Sequence, residues 1–347
     1  MTTVADGLFQ YGGVPVTGGV PPFFGRGADT FFVDPVNGSD GNDGKSVNRA
    51  FASLYRAHFM MTAGKNDVCY LIGNGSSTGT CRLSIANAVA AQGPTETVAT
   101  VGTLTWSKNA CHLIGIAAPT SIGQRARIAP PTAGSRSSIF NSGNFVVVTA
   151  QGCYFSNFDV FNGFAVGGTS QIAWTDSGGR NCYNNVNIQG KGDAASAANV
   201  DSRALLVTGS TGENTFRGCT IGLDTIKGVD AATEIELAAG SPRNRFEDCV
   251  IEACAGGTAA TWVTVGAAGI DRYALFRNCM FVNPVLPATG IAASQMTVGM
   301  SINAAAGGTV QVMNSMYYGA ATMSTSALCF SNLPAANAKG GLGVVAA

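Results

Sequence analysis

The sequence predicts an all-β chain wound as a single-stranded right-handed parallel β-helix, with about nine coils of roughly 30 residues each. Three observations predict it. A six-residue motif recurs at near-constant spacing. A separate apolar segment precedes each copy of it. The composition is that of turns and strands, with 46 glycines and only 12% charged residues, against about a quarter in ordinary globular chains.

The motif is clearest in FRGCTI (216–221), FEDCVI (246–251) and FRNCMF (276–281), and looser in FSNFDV (155–160), YNNVNI (183–188) and VMNSMY (312–317). Its fourth positions fall at 158, 186, 219, 249, 279 and 315, so the steps are 28, 33, 30, 30 and 36 residues. The third position is held by Asn157, Asn185, Gly218, Asp248, Asn278 and Asn314. These residue types tolerate a left-handed backbone, and one such residue between two short strands makes a sharp bend. Beyond the bend, positions four and six share one face of a strand. Cys219, Cys249 and Cys279 therefore point inward as a stack of reduced thiols. A linear stack does not offer zinc a tetrahedron, and the rung spacing is wider than a relaxed disulfide prefers.

The preceding segments are NFVVVTA (144–150), SQIAWTD (170–176), RALLVTG (203–209), TEIELAA (233–239) and TWVTVG (261–266). A 30-residue unit of short strands cannot bury its own apolar face, so the units must stack on one another. The leucine-rich frame and the Trp-Asp signature of other repeat folds are both missing.

The coils are expected over 66–332, preceded by a strand, an Asx/Gly turn and a capping helix over 30–65. The cap would blunt the open strand edges. Val47, Phe51, Leu54 and His58 recur at helical spacing behind Ser46, a suitable N-cap. Asp40, Asn42 and Asp43 in the turn could ligate calcium, but no Glu completes a calcium loop, and an Asx-rich turn explains them. Residues 1–29 form an irregular arm carrying Leu8, Phe9, Tyr11, Phe23 and Phe24, which would dock on the coils or on a partner. Residues 333–347 form an irregular tail.

Twenty basic residues balance twenty acidic ones, which gives no reason to expect nucleic acid or an anionic membrane as partner. Neither a secretory signal nor a long apolar span is visible. Two isolated histidines, His58 and His112, make no triad. Carbohydrate-active β-helices need converging carboxylates. The candidates are Asp159, Asp176, Asp193, Asp201, Asp224, Asp230, Asp248 and Asp271. Asp176 stands out beside Trp174 and Arg180, whereas Asp159 is expected to face outward and Asp248 serves the bend. Adjacent coils carry no Asp or Glu at matching positions, so no catalytic, cofactor or metal residues are assigned and a non-enzymatic protein is expected.

The opening FFVDPVNGSDGNDGKSVNRAFASLYRA (31–57) resembles the start of many bacterial and phage β-helix proteins. The segments DGLFQYGGVPV (6–16), RARIAPP (125–131), GGRNCYNNVNIQGKGDAASAA (178–198), GENTFRGCTIGLDTI (212–226) and GSPRNRFEDC (240–249) resemble a family of β-helix proteins encoded among the head genes of tailed bacteriophages. The resemblance implies a virion structural protein, made in the host cytoplasm, that decorates or cements the capsid. Its partner would be the major capsid protein, met through the arm, and it would self-associate into a homo-oligomer, a trimer being one such form. It carries no catalytic residues over. The alternative is a tail-associated protein that binds or degrades bacterial polysaccharide.

Overall fold

Each motif bend lies between two strands of different sheets, and the chain returns to the same bend one coil later. The computed structural model describes residues 28–75, 79–83, 103–117, 126–130, 144–162, 172–190, 202–228, 232–284 and 294–332, with the backbone of 10–11 and 14–15. Three parallel sheets of ten, eight and seven strands run the length of the molecule, bracketing the nine-coil expectation. The first sheet extends from Thr30–Val33 to Cys329–Ser331 and the second from Cys81–Arg82 to Met316–Tyr318. The third extends from Leu104–Trp106 to Met300–Ile302. Every strand of these sheets pairs with its equivalent one coil away, as Phe216 does with Phe246 and Phe246 with Phe276.

The bend between the first and second sheets is left-handed at all six motif positions. Its φ is 59° at Asn157, 54° at Asn185, 58° at Gly218, 55° at Asp248, 54° at Asn278 and 49° at Asn314. The bend amides are tied to the next coil, Gly218 N donating to Glu247 O and Asp248 N to Arg277 O. Their side chains form rungs as well: Asn185 Nδ2 donates to Asn157 Oδ1 at 3.0 Å and Asn278 Nδ2 to Asp248 Oδ1 at 3.1 Å. Short polar side chains at this position thus favour the αL conformation and also bond rung to rung.

The core is layered by residue type. Phe155, Tyr183, Phe216, Phe246 and Phe276 stack with ring centroids 5.0, 4.4, 4.7 and 4.5 Å apart. Each such contact contributes about 0.5–1.5 kcal/mol beyond burial. Beside them Cys219, Cys249 and Cys279 are at most 2% exposed. Cys249 Sγ donates to Phe216 O and Cys279 Sγ to Phe246 O, both at 3.4 Å. Burial lifts the Cys249 thiol well above its ordinary pKa, so it packs as a small hydrophobe.

At the N-terminal end the helix is Leu54–Met60, shorter and later than the apolar spacing implies. Ser53 caps it, accepting from Arg56 N, whereas Ser46 leads into a 3-10 turn, Val47–Arg49, without a side-chain cap. Phe51 is withdrawn from the helix because its backbone bridges Val33 of the first sheet. The three turn residues bond the protein itself. Asp40 accepts from Ala52 N, Ser53 N and Ser53 Oγ, Asn42 Nδ2 donates to Ala50 O, and Asp43 holds Lys45 N and Arg49. Among the described residues no helix is long and apolar enough to cross a membrane. Of the arm, Tyr11 lies in a two-residue strand, Gln10–Tyr11, paired antiparallel with Val14–Pro15. Leu8, Phe9, Phe23, Phe24 and the tail 333–347 lie outside the described residues.

Candidate functional site: a carboxylate corner

Asp176, the carboxylate singled out in the sequence, points into the core. Its register partners are Val148 and Val207, and all three are fully buried. Tyr183 Oη donates to Asp176 Oδ2 at 2.5 Å, Asn181 Nδ2 donates to the same oxygen at 2.9 Å, and Gly179 N donates to Oδ1 at 2.9 Å. Burial raises its pKa while these donors pull it down. Trp174 is also internal, donating to Tyr183 Oη, and Arg180 is at the surface with Glu213, 3.1 Å away. No substrate reaches this network. It belongs to the interior, with the asparagines Asn181, Asn214 and Asn244, each taking a backbone N–H of the preceding coil.

The other polar candidates are also occupied by the fold. Asp159 lies on the outward face of the second sheet but is fully buried, with Arg127 Nε at 2.8 Å. Burial, with Lys108 nearby, lowers His58 to about 3, and its Nε2 accepts from Ser107 N. Burial lowers His112 to about 4, and its Nδ1 accepts from Tyr154 N. Both rings are neutral acceptors at neutral pH. Asp193, Asp201 and Asp230 lie outside the described residues.

Carboxylates do converge elsewhere, where the second sheet gives way to the third. Glu252 ends the strand Val250–Glu252, and its register partner one coil earlier is Gly222, the end of Thr220–Gly222. Asp224 follows Gly222 by two residues, and Glu234 is the second residue of the return strand Thr233–Leu237 of the same coil. Gly222 makes the approach possible. It has a φ of 101°, and a Cβ there would lie 1.9 Å from the Glu252 carbonyl oxygen and 3.1 Å from Glu234 Cγ. Only glycine fits. Glu234 is 2% exposed, while Asp224 and Glu252 are half-buried. Burial, then the charges of Asp224 and Glu234, push the Glu252 carboxyl up to about 7. Two residues further along the same strand as Glu234, Glu236 pairs with Arg203. Among the described residues, no group of three or more His, Cys, Asp or Glu side chains is disposed around one point to hold a metal ion.

A carboxyl that is half-protonated near neutral pH, beside a second, part-exposed carboxylate, can give a proton to a leaving oxygen or take one from water. Sequence reasoning sought acids at matching positions of adjacent coils. Here the three come from unlike positions: the place after the motif (Glu252), the loop after the previous motif (Asp224) and the return strand (Glu234). The usable signal was Glu252 set one coil after a glycine at the same place, since a missing side chain opens room for its neighbour.

Neither a protein-family model nor a curated protein matches the sequence. Solved structures match the fold. A rhamnogalacturonan lyase superposes with a TM-score of 0.53 at 16% identity, covering 84% of this chain and 68% of that one. The pectate lyase Pel9A does so with a TM-score of 0.50 at 14% identity, covering 83% and 64%. The chain thus spans about two thirds of the length of each. With the three stacked sheets, this places the chain in the right-handed parallel β-helix class. The expectation of a non-enzymatic protein is corrected at this point: the solved structures that share the fold are enzymes, and the described residues include a carboxylate group with a raised pKa. At such identity the likeness establishes the fold.

Proposed function

We propose that this chain engages and cleaves a polysaccharide, with Glu252 as the proton-carrying group and Asp224 as the acid beside it. The observation that carries the reading is the meeting of Glu252, Glu234 and Asp224 at a part-exposed corner, where burial and like charge hold Glu252 at about 7. That polarity suits glycosidic cleavage, in which one carboxyl protonates the leaving oxygen and another activates water or attacks. The polysaccharide-directed lyases that share the fold add to the plausibility of a glycan substrate without assigning one. The purified chain is to be incubated with bacterial capsular and plant cell-wall polysaccharides. New reducing ends report hydrolysis, and ultraviolet absorbance of unsaturated products reports elimination. Glu252→Gln is expected to slow cleavage by about 10²–10⁴-fold, the usual worth of a general acid or base. Cleavage at an unchanged rate in Glu252→Gln, or no cleavage of any glycan by the parent chain, overturns the reading.

The proposed setting is a tailed-phage particle, supported by the sequence resemblance of 6–16, 178–198 and 212–226 given above. A glycan-cleaving chain fits the tail, which meets the bacterial surface; the capsid, through the major capsid protein and an oligomer of this chain, is the competing placement. Imaging of labelled particles separates them, since signal spread over the head excludes the tail.

A further inference from the structure

Two coils beyond the carboxylate corner the molecule has a second concavity. The segment 323–328 folds back over the strand Met300–Ile302, held by Met300 N donating to Met323 O and by Ser324 Oγ donating to Met300 O at 2.9 Å. Ser326 N donates to Ser324 Oγ, and Leu328 N to Ser326 Oγ. Between strand and segment lies a cavity of ≈ 460 Å³. Its lining is of two kinds. Val298, Ile302 and Leu328 give apolar surface, while Ser301 and Thr325 are exposed hydroxyls that bond no other described residue through their side chains. Among the described residues the lining contains no Lys, Arg, Asp or Glu.

The cavity is aligned with the corner. Glu236, two residues after Glu234, is the register partner of Thr264, and Thr264 is that of Ser301. Glu236, Thr264 and Ser301 thus form one outward column of hydrogen-bonding side chains on the third sheet, and each is at least part-exposed. Adjacent strands are about 4.8 Å apart, so two steps bring the column roughly 10 Å from the Glu234 strand to the cavity. That is close to the length of two sugar residues.

We propose that this cavity is a binding subsite for an uncharged sugar residue of a glycan that runs along the axis of the β-helix from the carboxylate corner. Hydroxyls beside apolar patches match the two faces of a pyranose, one edged with OH groups and one with C–H groups. The described lining offers a uronate carboxylate no cation as partner, and burying an unpaired charge is costly. A neutral residue is therefore preferred at this end. The inference rests on the glycan reading of the proposed function and adds the direction of the chain and the charge of the residue bound there.

The experiment measures binding, not turnover, in the Glu252→Gln chain. Galactohexaose, galactobiose and a galacturonate hexamer are titrated by calorimetry into this chain, alone and with Ser301→Trp or Thr325→Trp added to fill the cavity. Circular dichroism of each variant checks that it is folded. The expected result is that galactohexaose binds at least tenfold more tightly than the galacturonate hexamer, and that filling the cavity weakens both galactohexaose and galactobiose about tenfold or more. Unaltered galactohexaose affinity in both folded cavity variants, tighter binding of the uronate hexamer, or no binding of galactohexaose overturns the subsite. Failure of the cleavage reading alone shows instead as galactohexaose binding in the cavity with no turnover by the parent chain.

Discussion

Asp176 and Glu252 are both acids whose pKa is raised by burial, and they sit only a few coils apart, yet they serve opposite ends. Asp176 is inside, and three donors satisfy its oxygens. Glu252 is at a part-exposed corner, where the charges of two other acids, Asp224 and Glu234, act on it. A raised pKa alone therefore does not mark a working group. In the first case low dielectric is answered by hydrogen bonds and the acid becomes part of the core. In the second, like charges add to burial and leave a proton to be exchanged with whatever enters the corner.

The largest expected effect separates the two in activity. Glu252→Gln lowers polysaccharide cleavage by about 10²–10⁴-fold with thermal stability held or improved. Asp176→Asn, if folded, leaves the rate per folded molecule within a factor of a few. Equal losses of specific activity in both would erase the distinction.

Stability should divide them in reverse. Asp176→Ala removes the acceptor from Tyr183 Oη, Asn181 Nδ2 and Gly179 N and leaves them buried, which is expected to cost about 2–4 kcal/mol, the scale of stranded buried donors. Asp176→Asn keeps an acceptor oxygen and should cost about half of that. Chemical denaturation with an unchanged slope checks both, and a cost below about 0.5 kcal/mol for Asp176→Ala would remove Asp176 from the structural role.

A smaller effect is the pH dependence that Glu252 contributes. Its folded pKa, about 7, exceeds the ordinary 4.5, so the native state binds the proton more tightly than the unfolded one. Its contribution to stability is fully present below about 4.5, falls as pH rises to about 7, and is level above. Comparing denaturation of the parent chain with Glu252→Gln across this window should show the steeper fall in the parent, since Asp176 contributes equally to both. A parallel pair of curves contradicts the raised pKa. Least of all should follow from Cys249→Val, a swap of similar volume in the thiol stack, with about 1 kcal/mol or less. A loss of several would give the thiols a role beyond packing.

How much of this was legible in the sequence depended on whether the signal repeats. The bends repeat, so Gly218, Asp248 and Asn278 and the rings and thiols beside them could be aligned without any coordinates. The helix start does not repeat. Ser46 and Ser53 both precede apolar spacing, and the choice fell to the long-range bridge between Phe51 and Val33, which is invisible to local pattern. The same holds for the acids. Asp176 stood out as a sugar-binding candidate because Trp174 and Arg180 lie near it in sequence, but strand register put it with Val148 and Val207 inside. Glu252, Glu234 and Asp224 occupy three different places in the repeat, and a search for equivalent positions passes over them. They meet only because Gly222 lets the corner close.

Carbon-detected NMR titration of the Glu252 carboxyl, assigned by its loss in Glu252→Gln, tests the carboxylate corner most directly. A midpoint near 7 that moves down in Asp224→Asn is the expected result. A midpoint in the ordinary glutamate range, about 4.3, unmoved by Asp224→Asn, would contradict it.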